Sequence, residues 1–229
     1  MKYILTLITV FLLCTSLNAS PLNGSNEDGT SQYMDRASML GLLENVSSPF
    51  EDMTQYALAD NDNGLQNSIK DIQNKIEDLT FNDSFPLANY IVFRVKLDRL
   101  KNYIHAKDYK KTALLSAEIF HDNIKNFKYS RSVKEQIIVE DLDYMGVKTL
   151  ALLNQDRVDY AQLYALKAET KQLWKQLKSK IKDTHIVDSF DSMFQGLDAS
   201  TEKKDIKNAM TYASLDLALV DMLEKQFQE

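Results

Sequence analysis

The 229-residue chain has one cysteine, three prolines, six glycines and one tryptophan, and its 27 Lys and Arg are outnumbered by 33 Asp and Glu. Each scarcity excludes something. With 44% hydrophobic residues and so little Gly and Pro, the chain is neither collagenous nor disordered. The formal charge of -6 argues against a nucleic-acid or anionic-membrane binder, since both rely on clustered positive charge. No nucleotide-binding loop, metal-finger spacing or Gly-x-Ser-x-Gly elbow occurs anywhere.

The first twenty residues have the layout of a secretory signal peptide: Lys2, an apolar run from Ile4 to Leu13, then Leu17-Asn18-Ala19 before Ser20. As a helix that run rises only about 15 Å, roughly half a bilayer core, so the reading is export and cleavage after Ala19, with no transmembrane anchor afterwards. Leu13 stands where a lipoprotein signal needs a small residue before its cysteine, so Cys14 does not read as a lipid attachment site. The mature chain then lacks cysteine, which excludes disulfides and thiolate chemistry, and a periplasmic or secreted location is expected.

Three segments follow: a signal peptide at 1–19, a polar leader at 20–31, and one all-helical domain at 32–229. Apolar residues recur at three and four along Leu65-Ile69-Ile72-Ile76-Leu79, Tyr90-Phe93-Leu97-Leu100-Ile104 and Ala113-Ala117-Phe120-Ile124-Phe127. The same period continues through Leu163-Leu166-Thr170-Trp174-Leu177-Ile181 and Ala209-Ala213-Asp216-Val220-Leu223-Phe227, and it predicts helices rather than strands. Helices are expected at 34–45, 49–60, 65–79, 86–106, 109–127, 132–154, 157–181, 185–196 and 201–227. The capping boxes Ser48/Glu51 and Ser132/Glu135 mark two of the starts. Short turns, the last at Asp198-Ala199-Ser200, predict an antiparallel helical bundle or an array of helical hairpins. The turns at Asp60, Asp108 and Asp156 fall 48 residues apart and a further 48 reaches Lys204, although helices of about 20 residues with short turns generate that period unaided.

Acids in apolar surroundings are the candidates for chemistry. Helix 132–154 is apolar all round yet contains Glu140, Asp141 and Asp143; Asp141 shares a strip with Lys134 and Lys148 that reads as solvated. Asp216 stands at the centre of the last apolar stripe, where an unpaired carboxylate costs several kcal/mol or takes up a proton. Glu118 and His121 have the Glu-x-x-His spacing used in carboxylate-bridged di-iron bundles, though only one such pair is present instead of two. Two readings follow. In one, Glu118, His121, Glu140 and Asp216 bind a divalent metal, iron or zinc, in an iron- or zinc-handling bundle. In the other, the same acids pair with Arg94, Arg99, Tyr144, Tyr212 or lysines and fix helix register.

Lys167, Lys171, Lys175 and Lys178 share one flank of helix 157–181, which reads either as a solvated face or as a docking strip for an acidic protein partner. His105 and His185, at helix ends, read as surface residues. With no nucleophile motif and no aromatic-lined groove for glycoside cleavage, the expectation is a non-enzymatic helical binding or scaffold protein of the cell envelope. The alternative is the metal-binding bundle.

Overall fold

The computed structural model describes residues 36–80, 87–126 and 131–228; the signal peptide, the polar leader and Phe127 lie outside them. Among the described residues every regular element is helical. The elements are α1 (Arg36–Leu58), α2 (Asp62–Thr80), α3 (Leu87–His105), α4 (Tyr109–Asn126), α5 (Lys134–Leu153) after a single 3₁₀ turn at Arg131–Val133, α6 (Tyr160–Lys178), α7 (Thr184–Glu202) and α8 (Ile206–Gln228). None is long and apolar enough to cross a membrane.

The apolar stripes are the buried faces. Phe93, Leu97, Leu100 and Ile104 of α3, and Leu163, Leu166, Trp174 and Leu177 of α6, are all buried. Boundaries differ in three places. The helices expected at 34–45 and 49–60 are one helix, α1, with Pro49 inside it. An interior proline costs about 3 kcal/mol. Complete burial of Phe50, Met53 and Ala57 opposes that cost and holds the helix continuous. The start expected at Ser132 lies one residue later: Val133 takes the N-cap position of α5, with no side-chain cap hydrogen bond, and that valine is fully buried. The turn expected at 198–200 is helical. Ser200 and Thr201 are buried and donate their hydroxyls to the carbonyls of Gly196 and Leu197, so α7 continues to Glu202.

Three hairpin turns share one construction. Asp60, Lys107 and Lys204 have left-handed backbones (φ 52°, 55° and 54°). The next residue's N–H, from Asn61, Asp108 or Asp205, donates back to Tyr56, Tyr103 or Ser200 at 2.8–2.9 Å, closing the old helix in a Schellman turn. That residue's side chain then accepts from the N–H three ahead, on Gly64, Lys111 or Asn208, and caps the new helix. Successive turns also touch. Lys107 and Tyr109 bond Asp62, Lys110 bonds Asp156, and the Lys204 ammonium lies 5.2 Å from the centre of the Tyr160 ring.

The architecture repeats at an offset of 97 to 98 residues, close to twice the 48-residue turn spacing. The starts of α2, α3 and α4 (Asp62, Leu87, Tyr109) correspond to those of α6, α7 and α8 (Tyr160, Thr184, Ile206). Burial follows the same offset: Phe93, Leu97, Leu100 and Ile104 match Phe190, Phe194, Leu197 and Thr201, and Leu65, Ser68, Ile69 and Ile72 match Leu163, Leu166, Lys167 and Thr170. Thr112, Ser116, Ile119 and Asn123 of α4 match Ala209, Ala213, Asp216 and Val220 of α8, all buried. Each half packs its first helix against its last, α1 on α4 and α5 on α8, while α5 also packs on α4 and α1. Hence α5 is buried on nearly every side.

Candidate functional site

The polar groups of α5 divide between two interfaces. Toward α1 and α8 lies a set of carboxyl groups. Asp143 is buried and hydrogen-bonded to Glu51 of α1, a carboxyl pair that needs a shared proton. Burial, then the charge of Asp52, pushes Glu51 up to about 7. Burial, then the charge of Glu51, holds Asp143 well above the usual carboxylate range. Glu140 is pushed up to about 8 by burial and then by the charge of Glu224 on α8, and Glu224 is itself raised by burial.

Asp216 belongs to the same α5–α8 interface. It is 3% exposed, and its Oδ1 has no hydrogen-bond partner. Its carboxyl faces Gly146 of α5, where a Cβ would come within 2.9 Å of Oδ2. Glycine is what lets α8 approach here. Burial alone raises Asp216 to about 8. The inward orientation expected from the sequence is present; of the partners considered, Arg94 and Arg99 are exposed, and burial favours the protonated acid.

Toward α4 the picture differs. Lys148, whose side chain is 4% exposed, donates to Glu118 at 3.1 Å. His121 stacks on Tyr144, with ring centroids 3.8 Å apart, and its Nε2 stands 3.8 Å from Asp141 Oδ1. That distance is too long for a hydrogen bond, and neither atom has another partner. Burial, then the charge of Lys125, lowers His121 to about 4, while burial raises Asp141 to about 6. The strip of Asp141 and Lys148 read as solvated is therefore turned into the α4 interface, where polar residues at the margin of the α4 stripe receive it.

The structure does not bring Glu118, His121, Glu140 and Asp216 together. The first two engage α5 from α4, whereas Glu140 and Asp216 sit where α5 meets α8. Among the described residues no three His, Cys, Asp or Glu side chains are grouped to hold a metal ion. The body of α5 separates the pairs.

The lysine flank is a seam inside the chain. Lys167 and Lys171 both pair with Asp198 of α7, the former at 2.9 Å, and Lys178 pairs with Asp191 at 2.5 Å. Asp191 also accepts from the indole N–H of Trp174 at 2.8 Å. Lys175 alone of the four has no ion pair among the described residues and stays exposed. Two acids seven residues apart on α7 explain the arrangement: they lie two turns apart on one face and meet lysines spaced the same way.

Comparison with protein-family models, with curated proteins and with solved structures gives no match. Sequence reasoning missed Glu51, read there as a capping residue, along with Glu224 and Gln136. Glu224 lies eight residues after Asp216, close to the same face of α8, and that spacing was the available signal.

Surface apolar residues supply the remaining feature. Ile91, Val92 and Val95 of α3 are 59%, 53% and 56% exposed. At the matching positions of α7 stand Asp188, Ser189 and Ser192, also exposed. The second half thus shows that the architecture does not require apolar residues there.

Proposed function

We propose that the protein is a non-enzymatic helical binding or scaffold protein of the cell envelope, exported by its N-terminal segment, with the outer face of α3 as its docking surface. The observation carrying the proposal is the contrast between two equivalent helices. Exposing three branched apolar side chains in adjoining turns is unfavourable for a surface with no partner, and a polar alternative is used in the duplicate half. The lysine flank is a poorer docking strip because three of its four charges are already neutralised by α7. The occupant expected on α3 is a protein segment with an apolar face, such as an amphipathic helix.

Two measurements test this. A photo-crosslinking residue placed at Val92 should yield a discrete adduct in living cells, whereas one at Ser189 should not; equal yields would refute the docking surface. N-terminal sequencing of protein from the envelope or medium should begin at Ser20, and recovery only in the cytosol with residues 1–19 intact would refute export.

A further inference from the structure

Between α1, α5 and α8 lies a recess of about 20 Å³ lined by Leu40, Gln136, Val139, Glu140, Glu224 and Phe227. Its polar groups are unusually one-sided. The Gln136 amide nitrogen is taken up by the carbonyl of Phe227, which leaves Oε1; that oxygen is buried and has no partner, on a residue only 8% exposed. Glu140 and Glu224 provide carboxyl oxygens. The recess therefore offers acceptors, and what it lacks is a donor with positive charge.

The surrounding charges reinforce this. The charges of Glu224, Glu51, Asp141 and Glu44 all raise Glu140, and those of Asp221 and Glu44 raise Glu224, with Lys225 the basic residue acting on Glu224. Like charges in a poorly hydrated place are relieved by a proton or by a cation. A divalent metal is the weaker fit, because no three acidic or histidine side chains converge among the described residues. An ammonium nitrogen reaches acceptors at about 2.8 Å rather than about 2.2 Å and donates three hydrogen bonds. Leu40, Val139 and Phe227 supply contact for a hydrocarbon stem.

We propose that this recess binds the ammonium group of a primary alkylamine, Glu140 and Glu224 countering its charge, Gln136 Oε1 accepting one N–H, and Leu40, Val139 and Phe227 packing on its stem. The amine belongs either to a lysine side chain of another protein or to a free aliphatic amine. Binding competes with protonation. Glu140 holds its proton up to about pH 8 in the empty protein, so an ammonium ion binds as that proton leaves.

The test is calorimetric titration of the full mature chain with n-butylammonium at pH 6 and pH 8.5, beside butan-1-ol and tetramethylammonium. Expected is saturable butylammonium binding, roughly 75-fold tighter at pH 8.5 from the Glu140 proton alone. Butan-1-ol and tetramethylammonium should bind far more weakly, the first lacking charge and the second lacking N–H donors. Glu140→Gln mimics the neutral acid; it should leave the melting temperature at pH 6 unchanged and abolish butylammonium binding. Absence of binding at pH 8.5, equal binding of butan-1-ol, or undiminished binding by Glu140→Gln would overturn the proposal. Tighter binding of a lysine-bearing tripeptide than of cadaverine assigns the amine to a protein, and the reverse order assigns it to a free amine.

Discussion

Replacing Asp216 with asparagine should remove most of one proton's worth of pH dependence from the stability of this protein. The carboxyl is buried, has an Oδ1 without a partner, and is raised to about 8 from a reference of 3.8. Below about pH 4 the group is protonated whether the chain is folded or not, and it contributes no pH dependence. Between about pH 4 and pH 8 the unfolded chain releases the proton while the folded chain keeps it, so stability falls as pH rises; above about pH 8 both states are ionised and the loss levels off. At pH 7 the gap of about three units corresponds to a loss of about 4 kcal/mol. Asparagine has the same shape and does not titrate, and the hydrogen bonding of its amide is independent of pH. The difference in unfolding free energy between Asp216→Asn and wild type should therefore move by about 4 kcal/mol in favour of the variant between pH 4 and pH 7. Urea denaturation of both proteins at pH 4, 5.5, 7 and 8.5 measures it. Parallel stability curves would show that Asp216 ionises freely, refuting the argument from burial.

Other substitutions test other contacts by the same method. Gly146→Ala places a methyl against Leu217 and Asp216; it should destabilise the fold by about 1–3 kcal/mol through overpacking between α5 and α8. Glu118→Gln strands the buried Lys148 ammonium and should cost about 1–2 kcal/mol, reduced because Glu118 is itself 42% exposed, whereas Lys148→Met should be close to neutral. Asp60→Gly relieves a left-handed backbone at an exposed turn and should stabilise the protein by up to about 1 kcal/mol; a loss of stability would show that the Asp60 side chain is needed.

Helix period was the most legible feature, because it follows from burial of one face and burial is common to every helix here. Thus Leu65, Ile69 and Ile72, or Ala209, Ala213, Val220 and Leu223, are buried as their spacing requires. End signals were less legible because they compete with packing. At Pro49 burial overrode the local chemistry, the cap expected at Ser132 lies at Val133, and at Ser200 and Thr201 hydroxyls that suggest a turn bond back into the helix instead. The acids were legible one at a time: Asp216 is inside as expected, but its neighbours depend on how α1, α5 and α8 cross, which no single stripe encodes. The lysine flank shows the converse case, a pattern visible on α6 whose meaning is set by Asp191 and Asp198 on another helix.

The placement of α5 bears on how the duplicated halves unfold. Two copies of a four-helix unit joined end to end would ordinarily melt as separate blocks. Here α5 belongs to the second copy by its pairing with α8 and also supplies a wall of the first through α4 and α1. Loss of the second copy strips the first of that wall, so the two halves are expected to unfold together. A single cooperative transition is the thermodynamic signature of such sharing, with the amides of α5 exchanging slowest because they open only when everything does.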